Sequence, residues 1–142
     1  MRRGLGIGRV LVGVGAVLSI IGVFLPWQSA WGGDTGIPLI TQDGFDGGGV
    51  LVFVAAVGLL ALLLLPYASS SGRSMLDRST SFVLLGGLAV AGLGIALVQM
   101  FTSDSLQLTP IDRAIGLWLT IIGVALIAWG VGEILGERSK AR

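Results

Sequence analysis

Val50-Leu51-Val52-Phe53-Val54-Ala55-Ala56-Val57-Gly58-Leu59-Leu60-Ala61-Leu62-Leu63-Leu64-Leu65 is sixteen residues without one charged or hydrogen-bonding side chain. Its leucine-rich end, 59–65, has no polar face to offer water. The run is slightly shorter than the ~20 residues that cross bilayer hydrocarbon. The glycines before it, with Pro66 and Tyr67 after it, extend it to a span over residues 49–66. Three further stretches behave alike. Residues 9–25 end at Pro26-Trp27, residues 82–101 are interrupted only by Gln99, and residues 114–135 carry Glu133 in their final turn. In hydrocarbon the backbone must satisfy its own polar groups, so spanning segments are helices or closed barrels. Barrel strands alternate polar and apolar residues over about ten positions, and these stretches do not. The expected fold is all-α: a four-transmembrane-helix bundle forming a single integral membrane domain over residues 1–142, with a longer first outer loop.

Composition agrees. Of 142 residues, 54% are hydrophobic and 12% charged, and mean hydropathy is +0.92. A soluble domain is about a quarter charged, so the bilayer must be the solvent for most of this chain. Net charge is +1, which leaves no basic face to displace counterions from nucleic-acid phosphates. The chain has no cysteine and no histidine. Thiol chemistry, thiolate or imidazole metal sites and haem ligation are therefore excluded, together with the commonest general base. Met1-Arg2-Arg3 ahead of an apolar run resembles a signal peptide. The run is long and no small-x-small cleavage site follows, so residues 9–25 are read as the first span.

Basic residues set the expected orientation. Arg2, Arg3 and Arg9 precede the first span, Arg73 and Arg78 lie between the second and third, and Arg138, Lys140 and Arg142 follow the fourth. Only Arg113 lies elsewhere. Eight of nine on one side predicts cytoplasmic N- and C-termini in a multi-pass cell-membrane protein. Five of the eight acidic residues, Asp34, Asp43, Asp46, Asp104 and Asp112, fall on the opposite side. Arg113 has a neighbour in Asp112 or a lipid phosphate as counter-charge.

Small residues recur at helical spacing. Gly8, Gly15 and Gly22 repeat every seven residues in the first span with Ser19 on the same stripe. Gly116, Gly123 and Gly130 repeat likewise in the fourth, with Thr120 between. Gly87, Ala91 and Gly94 line one face of the third. Such stripes let backbones approach closely in lipid, either inside one bundle or against a partner protein. Leu18-Ser19-Ile20-Ile21-Gly22-Val23 parallels Leu119-Thr120-Ile121-Ile122-Gly123-Val124, read either as an inverted repeat or as coincidence in a small apolar alphabet. Gly4-x-Gly6-x-Gly8 follows no strand, so it is a helix entry and not a dinucleotide fingerprint.

Candidate chemistry is sparse. Proton and ion relays need ionisable groups within the membrane, and the span centres hold none. This argues against small proton-coupled exporters. Absent cysteines argue against quinone-linked thiol oxidases, and absent histidines against haem-anchoring subunits. Glu133 lies within a turn of the polar tail, in reach of headgroups or Arg138. Gln99 suits a helix-to-helix hydrogen bond. The loop after the first span offers Asp34, Asp43 and Asp46 among glycines, without the alternating ligands of a calcium loop. No catalytic, cofactor or metal site is assigned. Within that loop Gly36-Ile37-Pro38-Leu39-Ile40-Thr41 is apolar enough for a short strand or a patch lying on the membrane. Trp27 and Trp31 suit interfacial anchors. With Asp34, Asp43, Phe45 and Asp46 they form an expected outer docking patch.

Phe24-Leu25-Pro26-Trp27 closing a first span, followed by the Asp-Gly-rich entry at 43–49, resembles small uncharacterised four-helix membrane proteins of bacteria and archaea. That resemblance implies architecture and no activity. The longer first outer loop is similar to that of tetraspan proteins of the claudin type, whose paired loop cysteines are absent here. The expected function is that of a non-enzymatic integral membrane protein: an accessory or scaffolding subunit whose partners are the lipid bilayer and other membrane subunits, or copies of itself. The expected packing residues are Gly15, Ser19, Gly22, Gly87, Ala91, Gly94, Gly116, Thr120, Gly123 and Gly130. The alternative is a small self-associating channel or transporter lined by Ser19, Thr120, Gln99 and glycine backbone. An enzyme working through Asp43, Asp46, Asp104 or Asp112 is the third reading.

Overall fold

Four helices form the body of the protein in a computed structural model that describes residues 6–31, 38–68, 78–104, 111–113 and 115–140. They are α1 (Ile7–Phe24), α2 (Gly49–Ala68), α3 (Arg78–Asp104) and α4 (Ile115–Lys140). Three of them, α1, α3 and α4, are long and apolar enough to cross a membrane, whereas the apolar part of α2, Gly49–Leu65, is shorter. Several ends extend past the expected spans. α2 continues through Pro66, which has no N–H to give the Leu62 carbonyl. α3 starts at Arg78, and α4 runs through Glu137 and Arg138. Arg138 and Lys140 lie in the last turn of α4, where positive charge complements the helix dipole. At that same end the Glu137 carboxylate lies against Gly6, the N-cap of α1: an added Cβ there would sit 2.9 Å from Oε1. This places negative charge beside the unpaired N–H groups of α1.

The helices form a ring in chain order, with α4 closing back on α1. The α1–α4 seam is the most intimate contact and follows from sequence. Gly8, Gly15 and Gly22 of α1 face Gly130, Gly123 and Gly116 of α4 in reverse order. A Cβ added to Gly15 would lie 2.5 Å from the Gly123 carbonyl oxygen, and one on Gly130 would lie 2.5 Å from that of Gly8. No side chain fits between these backbones, so glycine is required by distance. A seven-residue repeat, 3.5 residues per turn, keeps the stripes facing each other along the seam.

The two similar hexapeptides meet within this seam. The Ser19 hydroxyl occupies the space where Gly123 lacks a Cβ, and the Thr120 hydroxyl occupies that of Gly22. Thr120 Oγ1 also donates to the Gly116 carbonyl at 2.8 Å. Ser19 Oγ is fully buried and has no hydrogen-bond partner among the described residues.

Between α2 and α3 another pair of glycines makes the close approach. A Cβ on Gly48 would lie 2.5 Å from the Gly92 carbonyl oxygen, and one on Gly92 would lie 2.7 Å from Leu51 Cβ. Two apolar clusters fill the ring, one around Val23, Trp27, Val52 and Met100, the other around Val12, Leu59, Phe82 and Ile127.

A three-stranded antiparallel sheet, order β2-β1-β3, closes the end opposite the termini. β1 is Pro26–Trp31, β2 Pro38–Asp43 and β3 Ile111–Arg113. The strand expected near 36–41 is β2. β1 and β3 lie in segments read from sequence as loop. α1 stops at Leu25, which is extended (φ −85°, ψ 154°), because Pro26 disfavours helical geometry in the residue before it. The chain thus leaves the helix already in strand conformation. Ser29 pairs with Thr41 on one side and Asp112 on the other, and Gln28 pairs with Gln42 and Arg113.

Two substitutions test the seam. Gly123→Ala should lower stability in detergent by about 1–3 kcal/mol, the usual cost of overpacking, whereas Gly87→Ala, in open space, should not lower it. Ser19→Ala should raise stability by about 1 kcal/mol by removing an unsatisfied buried hydroxyl, while Thr120→Val should lower it by a similar amount. Denaturant titration in micelles measures both, and equal losses for Ser19→Ala and Thr120→Val would show that the serine hydroxyl is bonded in the folded protein.

Candidate functional site

α3 carries two rows of small residues, and the ring uses one of them. Gly86, Ala89, Gly92 and Ala96 are buried against α2 and α4. Gly87, Ala91 and Gly94 are exposed on the other side, and a Cβ on Gly87 or Gly94 would meet nothing within 4 Å among the described residues. Exposed Val90 and Ile95 flank this row and exposed Leu84 and Val98 continue it at its two ends, so the surface is a short row of small residues set among larger apolar ones. Helices in lipid pack closely through such surfaces. Gly132 and Gly136 on α4 are open in the same sense. The other expected packing residues, Gly15, Ser19, Gly22, Gly116, Thr120, Gly123 and Gly130, all lie buried in the α1–α4 seam. Ser19 and Thr120 are therefore enclosed against glycine backbone. Gln99 is exposed, with Oε1 2.9 Å from where a Cβ on Gly47 would be.

Gly48 and Gly92 are contact residues that sequence reasoning missed. Gly92 belongs to a row with helical spacing as regular as that of Gly87, Ala91 and Gly94. Periodicity alone does not say which row faces inward. Gly48 was read as the last residue of the loop, just before the span at 49–66.

Below the sheet, Trp27 is buried, with Nε1 donating to the Gly22 carbonyl at 2.8 Å. It satisfies an acceptor that the end of α1 leaves without a helical partner. The Trp27 ring lies over Gly44, where an added Cβ would be 2.9 Å from Cε2. The expectation that Trp27 anchors the protein at the membrane interface is corrected by this burial: the indole is enclosed by its own chain. Trp31 lies in β1 opposite Pro38, and Asp34 lies outside the described residues.

Asp43 ends β2 and is exposed, and its Oδ1 accepts the Phe45 N–H at 3.0 Å. Residues 44–46 form a 3-10 turn that holds Phe45 and Asp46. Phe45 packs edge-on with Phe24 of α1 and tilted against Phe53 of α2. Among the described residues no three acidic side chains gather where they could hold a metal ion. At the other end Glu133 accepts a hydrogen bond from Trp129 Nε1 at 3.3 Å. An apolar groove of about 110 Å³ opens between α3 and α4, lined by Leu97, Met100, Phe101, Leu117, Trp118 and Ile121.

Trp27 supports the sheet through both its ring and its N–H. Trp27→Phe should lower stability by about 1 kcal/mol, the net worth of one hydrogen bond, and Trp27→Ala by about 3–5 kcal/mol, read by thermal unfolding in detergent. Comparison of the chain with protein families, with curated proteins and with solved structures finds no match.

Proposed function

We propose that this is a non-enzymatic integral membrane protein that serves as an accessory or scaffolding subunit, with the exposed Gly87-Ala91-Gly94 face of α3 as its docking surface. The observation that carries the reading is the contrast among glycines. Those of the α1–α4 seam have no room for a Cβ, whereas at Gly87 and Gly94 a Cβ would meet nothing within 4 Å among the described residues. An exposed helix interior gains from alanine over glycine by about 1 kcal/mol, so glycine in open space is unfavourable for the isolated chain. A transmembrane helix laid along this face offsets that cost by close packing. The partner is another membrane subunit or a second copy. In this reading the termini and the α2–α3 connection are cytoplasmic, where eight of the nine basic residues lie, and the sheet is on the outer side.

The test is purification from native membranes in mild detergent, with mass spectrometry of what co-migrates. A stable complex is expected. A Gly87→Leu/Gly94→Leu double variant should lose the partner at least tenfold while its own thermal unfolding temperature is unchanged or raised, since leucine is the better helix former at an open position. A protein that runs alone as a monomer across several detergents overturns the reading.

A further inference from the structure

Phe45 lies outside all four apolar stretches, between Asp43 and Asp46, yet its ring does not join the polar loop. It packs on Phe24, the last residue of α1, with centroids 5.1 Å apart at 61°, and on Phe53 at 5.4 Å. Phe24 and Phe53 themselves meet edge-to-face at 5.7 Å and 89°. Phe53 is four residues into α2, about 6 Å along the helix axis from its start. The Phe45 ring therefore turns back past the end of the helix and lies beside its first turn.

We infer that the 3-10 turn is inserted in the membrane, with the Phe45 ring in the apolar edge of the bilayer and the Asp43 carboxylate in water. Lipid is thus the partner of this turn. Two observations select lipid as the occupant. The first is continuity. Val10, Val14, Val17, Ile21 and Phe24 form one exposed stripe down α1 at spacings of three and four residues, and α1 is one of the helices able to cross a membrane. Phe24 is 62% and Phe45 37% exposed, so the loop phenylalanine prolongs the stripe that faces acyl chains. The second is length. The apolar part of α2, Gly49–Leu65, covers about 26 Å, against about 30 Å of hydrocarbon. The Phe45 ring supplies apolar surface at the end where α2 begins late. Asp43 holds the turn in this pose by accepting the Phe45 N–H, and it is itself exposed. Carboxylate and ring lie two residues apart across the boundary, as for an amphipathic interfacial element.

The chain has no cysteine, so one introduced thiol gives a unique label. Nitroxide-labelled Phe45→Cys, Phe24→Cys and Asp43→Cys, each in the full chain, would be reconstituted in phosphatidylcholine–phosphatidylglycerol vesicles. Power saturation would then be measured with oxygen and with a water-soluble nickel chelate. The label at 45 should favour oxygen as the label at 24 does, and the label at 43 should favour nickel by several-fold. Equal nickel access at 45 and 43 overturns the inference. So does exclusion of both reagents at 45, which would mean that protein covers the ring. Because cysteine removes a ring from the cluster, Phe45→Trp provides a second measurement. Its added emission, relative to the parent chain, should be quenched by brominated acyl chains, and the absence of quenching likewise overturns the inference.

Discussion

The rest of the structure depends on the distance between α1 and α4. Lipid tails are as apolar as leucine, so helices in a membrane gain little from burying apolar side chains against one another. Close backbone approach and dense packing hold them together instead. The seam achieves this by matching two seven-residue glycine repeats in antiparallel register. Ser19 and Thr120 fill the gaps reciprocally, each against a glycine of the other helix. Since α1 is the first helix and α4 the last, this contact also closes the ring.

The seam reaches beyond the helices. A Cβ on Gly116 would lie 2.6 Å from the Leu25 carbonyl oxygen, so the end of α1 and the start of α4 are pressed together. β1 begins immediately after that point and β3 ends just before it. Their pairing in one sheet follows from the helix contact, and β2 adds to the free edge of β1. No disulfide is available to a chain without cysteine, and the buried Trp27 takes a comparable structural place. It joins α1, through the Gly22 carbonyl, to the turn that follows β2.

Legibility in the sequence varied with the kind of question. Four apolar stretches were plain, because a hydrocarbon-crossing helix needs little beyond length and absence of charge. Their ends were less so. Pro66 did not end α2, and Arg78 and Arg138 proved to be helical, because helix termini in headgroups or water tolerate polar residues. The heptad glycines were visible as stripes, and the near-identity of 18–23 and 119–124 was visible too. That these two segments touch was not, since a repeat says nothing about its partner. The sheet was half visible: a short strand was foreseeable in the apolar 36–41, but β3 is three residues long and β1 is broken by two shifts of register, so neither carries an alternating pattern. Trp27 illustrates the limit. A tryptophan after a span usually marks the interface, and here a neighbouring glycine, Gly44, left room for the ring to fold inward.

The sequence by itself determined that this chain forms helices apolar enough to cross a membrane, because hydropathy and the demand for internal backbone bonding are properties of each segment alone. It also determined which positions are small enough for close contact. Only the tertiary structure decided which small positions are occupied. Gly92 and Gly87 lie five residues apart on one helix, equally regular in spacing, and one is filled by α2 while the other is open. That choice is made by the rotation of α3 about its axis, which depends on packing against α2 and α4 together and is encoded in no single segment.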